Sequence, residues 1–379
     1  METSTKKPSR GKKNAISGNV EKYSSFIDEG KLVGVIDEII ALSDIDAKRK
    51  YLGNLKEDLL FTQSRLLKNA ETSVDQDTIS VAYLMGELDQ AMSAFTEERM
   101  NYYLRRLSRS LVAQRNNGIN DLNLNLWKKY KDIVTDSYWH LERRESSKGN
   151  SAWYWGNFVP QIPRQFILRF TRKNDWVFDP FAGSGTTLFE AAALGRNSVG
   201  IDLNPETIAR AKDTLRTLHD KEDVRSIMIQ GDSLRDDFKQ ILKDLNAPSP
   251  RLIMLHPPYF DIIHFSQDER DLSNSPNLEV FLQRMSTVAK KCFDLLSEKG
   301  HLAMVIGDKY ASGSWIPVGF YSMQKLMEAG FTLKSIIVKN FEGTRGKRNQ
   351  EELWRYRALA GGYYVFKHEY IFLMQKPSP

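Results

Sequence analysis

Over residues 20–135 apolar side chains return every three to four positions, the spacing of one helix face. Leu32, Val35, Ile36, Ile39 and Ile40 make one such face, and Leu52, Leu55, Leu59 and Leu60 another. Tyr83 to Gln114 reads as one long helix with Leu84, Leu88, Met92 and Phe95 on a common side. Its distal half carries Arg99, Arg105, Arg106, Arg109 and Arg115 beside Tyr102 and Tyr103, a face suited to a nucleic acid backbone or simply to water. From residue 175 the pattern changes to short apolar runs alternating with amphipathic stretches. Successive runs end at Asp179, Asp202, Asp232 and His256. Helical patterns follow at Thr186–Leu194 and from Asn204-Pro205 through Ala211. This alternation predicts an α/β domain built on a parallel sheet. Further on come a helix over Asn277–Leu296, a strand over His301–Asp308, a loop over Gly313–Phe320 and a helix over Tyr321–Ala329. Strands over Phe331–Lys339 and Lys367–Lys376 close the series, with a long loop, about 340–366, between them.

The first run leads into Val177-Phe178-Asp179-Pro180-Phe181-Ala182-Gly183-Ser184-Gly185-Thr186-Thr187. Two glycines between a buried strand and a helix permit a sharp turn and close approach of a ligand to the backbone. A dinucleotide fingerprint would need glycine where Leu188 stands, and a phosphate loop would need a lysine after Gly185. The acid at the strand tip, Asp179, suits a ligand with a cationic end, such as an ammonium group. Asp202 lies 23 residues further on, the distance at which an acid can take ribose hydroxyls.

The fourth run ends in Leu255-His256-Pro257-Pro258-Tyr259-Phe260. Paired prolines fix an extended backbone that donates no hydrogen bond and leaves a rigid carbonyl acceptor between them. Such a site suits chemistry on an exocyclic base amine. The lone pair of that nitrogen is delocalised into the ring. Acceptors on its two hydrogens localise the lone pair, while an aromatic side chain stacks on a base taken out of the duplex. His256 can accept one hydrogen bond through its unprotonated nitrogen, and its ordinary pKa near neutrality also fits it to take up a proton.

Composition narrows the class without choosing a function. A chain of 379 residues suggests two or three domains, and 27% charged residues with 41% hydrophobic ones is an ordinary globular balance. No apolar run approaches a membrane span and no secretory signal is visible, so a cytoplasmic, nucleoid-associated protein of prokaryotic or phage type is expected. The single cysteine, Cys292, excludes a disulfide framework or a cysteine-built metal site, and no metal is expected. A net charge of +6 is compatible with nucleic acid. Residues 1–19 are expected to be a disordered basic tail, 20–136 a helical accessory domain and 137–379 the catalytic domain.

DPFAGSGTT after the first run and Pro-Pro-aromatic after the fourth resemble the S-adenosylmethionine (SAM)-dependent DNA amino-methyltransferases, over about residues 150–379. The resemblance implies a Rossmann-like methyltransferase fold with seven strands, mostly parallel, helices on both faces, and an antiparallel hairpin of the last two strands. It implies SAM as cofactor, held by Phe158, Asp179, Phe181, Ala182, Gly183, Ser184, Gly185, Thr186, Asp202, Leu203, Asp232 and Ser233. The approach segment GNFVPQIPRQFI, with Trp153 and Trp155 before it, would pack on the methionine moiety. His256, Pro257, Pro258 and Tyr259 would be catalytic, although the family has Asp, Asn or Ser where His256 stands. Arg345, Lys347, Arg348, Arg355 and Arg357, in the 340–366 loop, are the expected DNA contacts. The implied partners are double-stranded DNA, a cognate restriction endonuclease and a second copy of the chain. Cytosine N4 is favoured over adenine N6, because the approach segment is more similar to that of the N4 enzymes. An RNA amino-methyltransferase of the tRNA guanine N2 type, and a non-catalytic nucleic-acid-binding subunit favoured by His256, are the rival readings.

Overall fold

The computed structural model describes residues 29–67, 80–141, 144–145, 154, 156–218, 224–340 and 351–378. The expected tail at 1–19 lies outside these residues, as do Trp153, Trp155, Arg345, Lys347 and Arg348. Two compact units emerge, one up to Arg115 with Asn123–Tyr130, the other Asn116–Leu122 with Lys131 onward. The second unit claims part of the stretch expected in the helical domain, for identifiable reasons. Asn120 Nδ2 donates to the Arg169 carbonyl at 2.6 Å, and Arg196 Nη2 meets Asp121 Oδ2 at 2.8 Å.

In the helical unit α1 (Glu29–Ala41), α2 (Ile45–Leu67), α3 (Val81–Met92) and α4 (Glu97–Val112) bury Ile36, Ile39, Leu52, Leu84, Leu88, Met100 and Leu104 in one core. The long helix expected over 83–114 is two helices. Thr96 accepts from Arg99 N at 3.2 Å and caps a new helix, whose first turn carries Glu97 and Glu98. Phe95, expected on the apolar face, sits in the break and is 98% exposed. Of the arginines on α4, Arg99, Arg105 and Arg109 are exposed, whereas Arg106 pairs with buried Glu87. Lys48 is wholly buried and donates to the Ile40 carbonyl at 3.0 Å and to Glu97 and Asn101 at 2.8 Å each. All three ammonium protons are thereby used.

The second unit is built on a sheet whose strands are β1 (Tyr138–Trp139), β2 (Trp176–Asp179), β3 (Asn197–Asp202), β4 (Ser226–Gln230), β5 (Leu252–Leu255), β6 (His301–Ile306), β9 (Thr332–Asn340) and β10 (His368–Gln375). Two further strands, β7 (Lys309–Ala311) and β8 (Ser314–Ile316), form a separate hairpin where a loop was expected. The sheet order is β1-β9-β10-β6-β5-β2-β3-β4. It has eight strands rather than the seven expected, because Tyr138–Trp139 pairs in parallel with the edge of β9. Only β10 runs antiparallel, lying between β9 and β6.

The central strands β2, β5 and β6 are buried throughout and mostly apolar because both sheet faces are covered. Alternate residues point to opposite faces. Phe178, Ile253, Leu255, Leu302 and Met304 pack with α8 (Phe238–Asp244), α9 (Leu278–Leu295) and α10 (Val318–Glu328). Val177, Leu252, Met254, Ala303 and Val305 pack with α5 (Gln161–Phe170). The remaining helices are α6 (Thr186–Ala193), α7 (Pro205–Leu218) and α11 (Glu351–Gly361). Each fully buried side chain of this kind contributes about 1.5–3 kcal/mol. Cys292 belongs to this core, and burial pushes its thiol far up, so it is no nucleophile. From β2 the chain moves outward to β3 and β4, then returns to β5 on the other side of β2. Such a reversal opens a crevice at the carboxyl ends of β2 and β5.

Candidate active site

Both sequence motifs end at that crevice, and residues from both line one cavity of about 460 Å³. The size suits a cofactor-sized ligand. One end is the glycine turn. Gly183 (φ +50°) and Gly185 (φ +87°) are left-handed, which a side chain would strain. Asp202 fastens the turn to the tip of β3, its Oδ2 accepting from Gly183 N and its Oδ1 from Asn204 N, both at 2.9 Å. Beneath them Gly200 leaves no room for a β-carbon. One there would stand 2.7 Å from both Ala182 Cβ and a Leu188 methyl.

Asp179 is 1% exposed and does not line the cavity. Its Oδ2 accepts from Thr187 Oγ1 at 2.5 Å and its Oδ1 from Phe181 N at 3.0 Å, so the carboxyl braces the turn from below. Burial pushes its pKa up to about 7, against these hydrogen bonds. Gly185 likewise lies outside the lining. Phe158, Phe181, Ala182, Gly183, Ser184, Thr186, Asp202, Leu203, Asp232 and Ser233 all line it. Asp232 Oδ1 accepts from Leu234 N at 2.8 Å. Its buried Oδ2 accepts no hydrogen bond among the described residues, and the Arg235 guanidinium is 3.6 Å away.

Two aromatic side chains that the pattern reading missed cover the turn. Tyr154 and Phe265 stack with centroids 6.0 Å apart, and Tyr154 lies 3.0 Å from where a β-carbon on Gly183 would be. Tyr154 was hidden between two tryptophans, and Phe265 in a polar, charged stretch.

At the other end His256, Pro257, Pro258 and Tyr259 follow β5 and line the cavity together. The Pro257 carbonyl accepts no hydrogen bond among the described residues. The next residue, Phe260, is left-handed (φ +56°), unusual for a bulky side chain. Its buried ring packs on Phe281, and the Lys309 ammonium stands 5.0 Å from the ring centroid. The ring of Phe158 meets His256 edge-on at 4.7 Å. Gly307, just past β6, makes room for Tyr259, whose ring would lie 2.9 Å from a β-carbon there.

The polar groups of this end form a chain. His256 Nε2 is 3.1 Å from Tyr259 Oη, which donates to Glu369 Oε2 at 2.7 Å. Glu369 Oε1 pairs with Lys339 Nζ at 3.0 Å. Burial pulls the His256 imidazole down to about 4, outweighing the Glu369 charge. The expectation that His256 takes up a proton near neutrality is therefore corrected, since the ring is neutral there and a weak base. Lys339 and Glu369 were missed by motif reading. Each stands near the end of a strand that holds other polar residues, Lys334 among them, so neither charge marks itself out in the sequence.

Arg355 and Arg357 are exposed on α11, a helix within the region expected to be a loop, and Arg357 lies over the Trp354 ring at 5.2 Å. No cluster able to hold a metal ion and no helix long and apolar enough to cross a membrane occurs among the described residues.

The profile described as DNA methylase, for N6 and N4 enzymes, matches residues 47–213 and 251–379. Among curated proteins, the type II methyltransferase M.MjaII of Methanocaldococcus jannaschii is 34% identical over 113 residues, 30% of this chain and 21% of that protein. The type II methyltransferase M2.LlaDCHI of Lactococcus lactis subsp. cremoris is 37% identical over 92 residues, 23% of this chain and 31% of that protein. The chain thus spans about a fifth to a third of the length of these relatives. Among solved structures, a SAM-dependent methyltransferase of Methanosarcina mazei covers 55% of this chain and 94% of its own at 16% identity, with a TM-score of 0.37.

Proposed function

The chain belongs to the N6/N4 DNA methylase family, and from that premise we propose that it moves a methyl group from SAM to an exocyclic amine of a flipped base in double-stranded DNA. Cytosine N4 is the favoured acceptor over adenine N6. The observation that carries this reading is the shared cavity, in which the glycine turn after β2 and the Pro-Pro-Tyr segment after β5 face one space.

The residues present fit SAM. Asp232 Oδ2 is a buried acceptor awaiting a donor such as an adenine amino group. Asp202 lines the cavity with lone pairs left for ribose hydroxyls, and Tyr154 with Phe265 supplies an apolar cover. Gly183 lets that cover approach the turn. When bound, SAM supplies a methyl group activated by its sulfonium, and the pair of the broken S–C bond stays on sulfur.

The chain's own residues work on the amine. The Pro257 carbonyl and the unprotonated nitrogen of His256 accept its two hydrogens, which raises lone-pair density on nitrogen as the N–C bond forms. Tyr259 packs beside the base. His256 is too weak a base to keep the proton the methylated amine sheds, so that proton leaves to water. Rate comes from positioning and fixed dipoles. Arg355 and Arg357 on α11 meet phosphates outside the cavity. The setting is restriction–modification, with a cognate endonuclease as partner.

Incubating the protein with labelled SAM and duplex DNA, then analysing the nucleosides by mass spectrometry, tests the reading. N4-methylcytosine is expected. N6-methyladenine alone overturns the base, and label in tRNA but not DNA overturns the substrate.

A further inference from the structure

His256 stands where the resembled enzymes present an oxygen. A carboxylate or amide oxygen accepts by nature, but a neutral imidazole has one accepting nitrogen and one donating nitrogen. If the wrong nitrogen carried the proton, a donor would face the donors of the amine. Something must choose the tautomer.

Resting on the function proposed above, we infer that Glu369 and Lys339 are positioning residues that, through Tyr259, hold the proton of His256 on Nε2 and leave Nδ1 as the acceptor for the target amine. Lys339 on β9 and Glu369 on β10 are directly opposite each other in the antiparallel register. Both are buried, 7% and 4% exposed, and they meet at 3.0 Å. A buried pair of this kind stays in place only when each charge is matched. An ionised carboxylate can only accept, so the single hydroxyl proton of Tyr259 is committed to Glu369 Oε2 at 2.7 Å. Tyr259 Oη can then only accept from His256, 3.1 Å away, and that requires Nε2–H. Nδ1 is left with its lone pair and has no hydrogen-bond partner among the described residues, while the ring lines the cavity. The sequence runs Lys339 to Glu369 to Tyr259 to His256, each proton pointing away from the nitrogen that must accept. Burial also holds the ring neutral, so the accepting lone pair is not lost to protonation.

The Glu369→Gln variant breaks this order by chemistry rather than by size. Its one carbonyl oxygen goes to the Lys339 ammonium, so its amide N–H faces Tyr259 Oη. Tyr259 must then donate to His256 Nε2, which moves the imidazole proton to Nδ1. Tyr259→Phe removes the hydroxyl altogether and leaves the tautomer unfixed.

Long-range proton–nitrogen NMR on the full chain labelled with ¹⁵N-histidine reads the tautomer directly, without substrate. The chain has six histidines, and the resonance missing from His256→Gln identifies the one in question. The expected spectrum has Nε2 protonated in the wild type and Nδ1 protonated in Glu369→Gln. Both Glu369→Gln and Tyr259→Phe should lose about a hundredfold in kcat, with KM for SAM little changed. Wild-type His256 protonated on Nδ1 overturns the inference, as does Glu369→Gln with wild-type tautomer and kcat. The wild-type spectrum alone decides if the Glu369 variant fails to fold. A protein with the expected spectra that methylates no DNA upholds the tautomer lock and overturns the function proposed above.

Discussion

Two buried lysines, one in each unit, end in opposite ways. Lys48 sits among α1, α2 and α4 and spends every proton on a fixed acceptor, so its network closes on itself. Lys339 heads a chain through Glu369 and Tyr259 that stops at His256, on the wall of a cavity. Both arrangements satisfy the rule that buried charge is paired. The closed one can serve only the fold, whereas the open one leaves a directed lone pair for something that is not part of the chain. The end of a buried polar chain is thus a better guide to function than its presence.

The sharpest way to break this contrast is at the open end. His256→Ala should lower single-turnover methylation about a hundredfold, with SAM affinity and melting temperature near wild type, because water can fill the cavity wall. Wild-type single-turnover rates in that variant would remove His256 from the reaction. Next in size is the other end of the cavity. Gly183→Ala puts a β-carbon 3.0 Å from Tyr154 at a φ of +50°, and calorimetry should find SAM binding weakened about tenfold. Unchanged affinity would mean that SAM does not lie between turn and aromatic cover.

At the closed network the effect should be on stability. Lys48→Met leaves the Ile40 carbonyl, Glu97 and Asn101 without their donor, and calorimetry should record a midpoint lower by about 5 °C. A midpoint equal to wild type would show that the closed network is dispensable.

The smallest effect concerns protons. Burial pulls both His256 and His301 down to about 4, below the 6.5 of an exposed imidazole. Between these values the unfolded chain binds protons that the folded one refuses. Each histidine therefore contributes stability that is whole above pH 6.5 and drains away as pH falls to 4. Asp179, raised to about 7, acts in the opposite sense, losing stability as pH rises toward 7. The difference between variants isolates one group. His301→Gln, remote from the two motifs, should lose less stability than wild type between pH 6.5 and 4 in denaturant titrations. Equal losses would mean that His301 titrates as in solution.

Much of this was legible in the order of residues. Parallel strands covered on both faces are mostly short apolar runs, and Val177–Asp179 and Leu252–Leu255 are such runs. The glycine turn announces itself because only glycine tolerates its backbone. Periodicity merged α3 and α4 because apolar spacing continues across a break whose only marks are Ser93 and Thr96. Tyr138–Trp139 is too short to carry a pattern, and the β7–β8 hairpin alternates too weakly. Lys339 and Glu369 escaped for a different reason. They are 30 positions apart in sequence and become a pair only through the register of β9 on β10.

The bare position at Gly200 has a bearing on how such a pocket can change. With Ala182 and Leu188 pressed onto the strand where a side chain would be, the floor beneath the glycine turn is welded to the sheet and offers mutation almost no latitude. On the function proposed above, a bulkier or differently shaped donor would be accommodated through the roof, at Tyr154 and Phe265, which stand in loops outside the sheet.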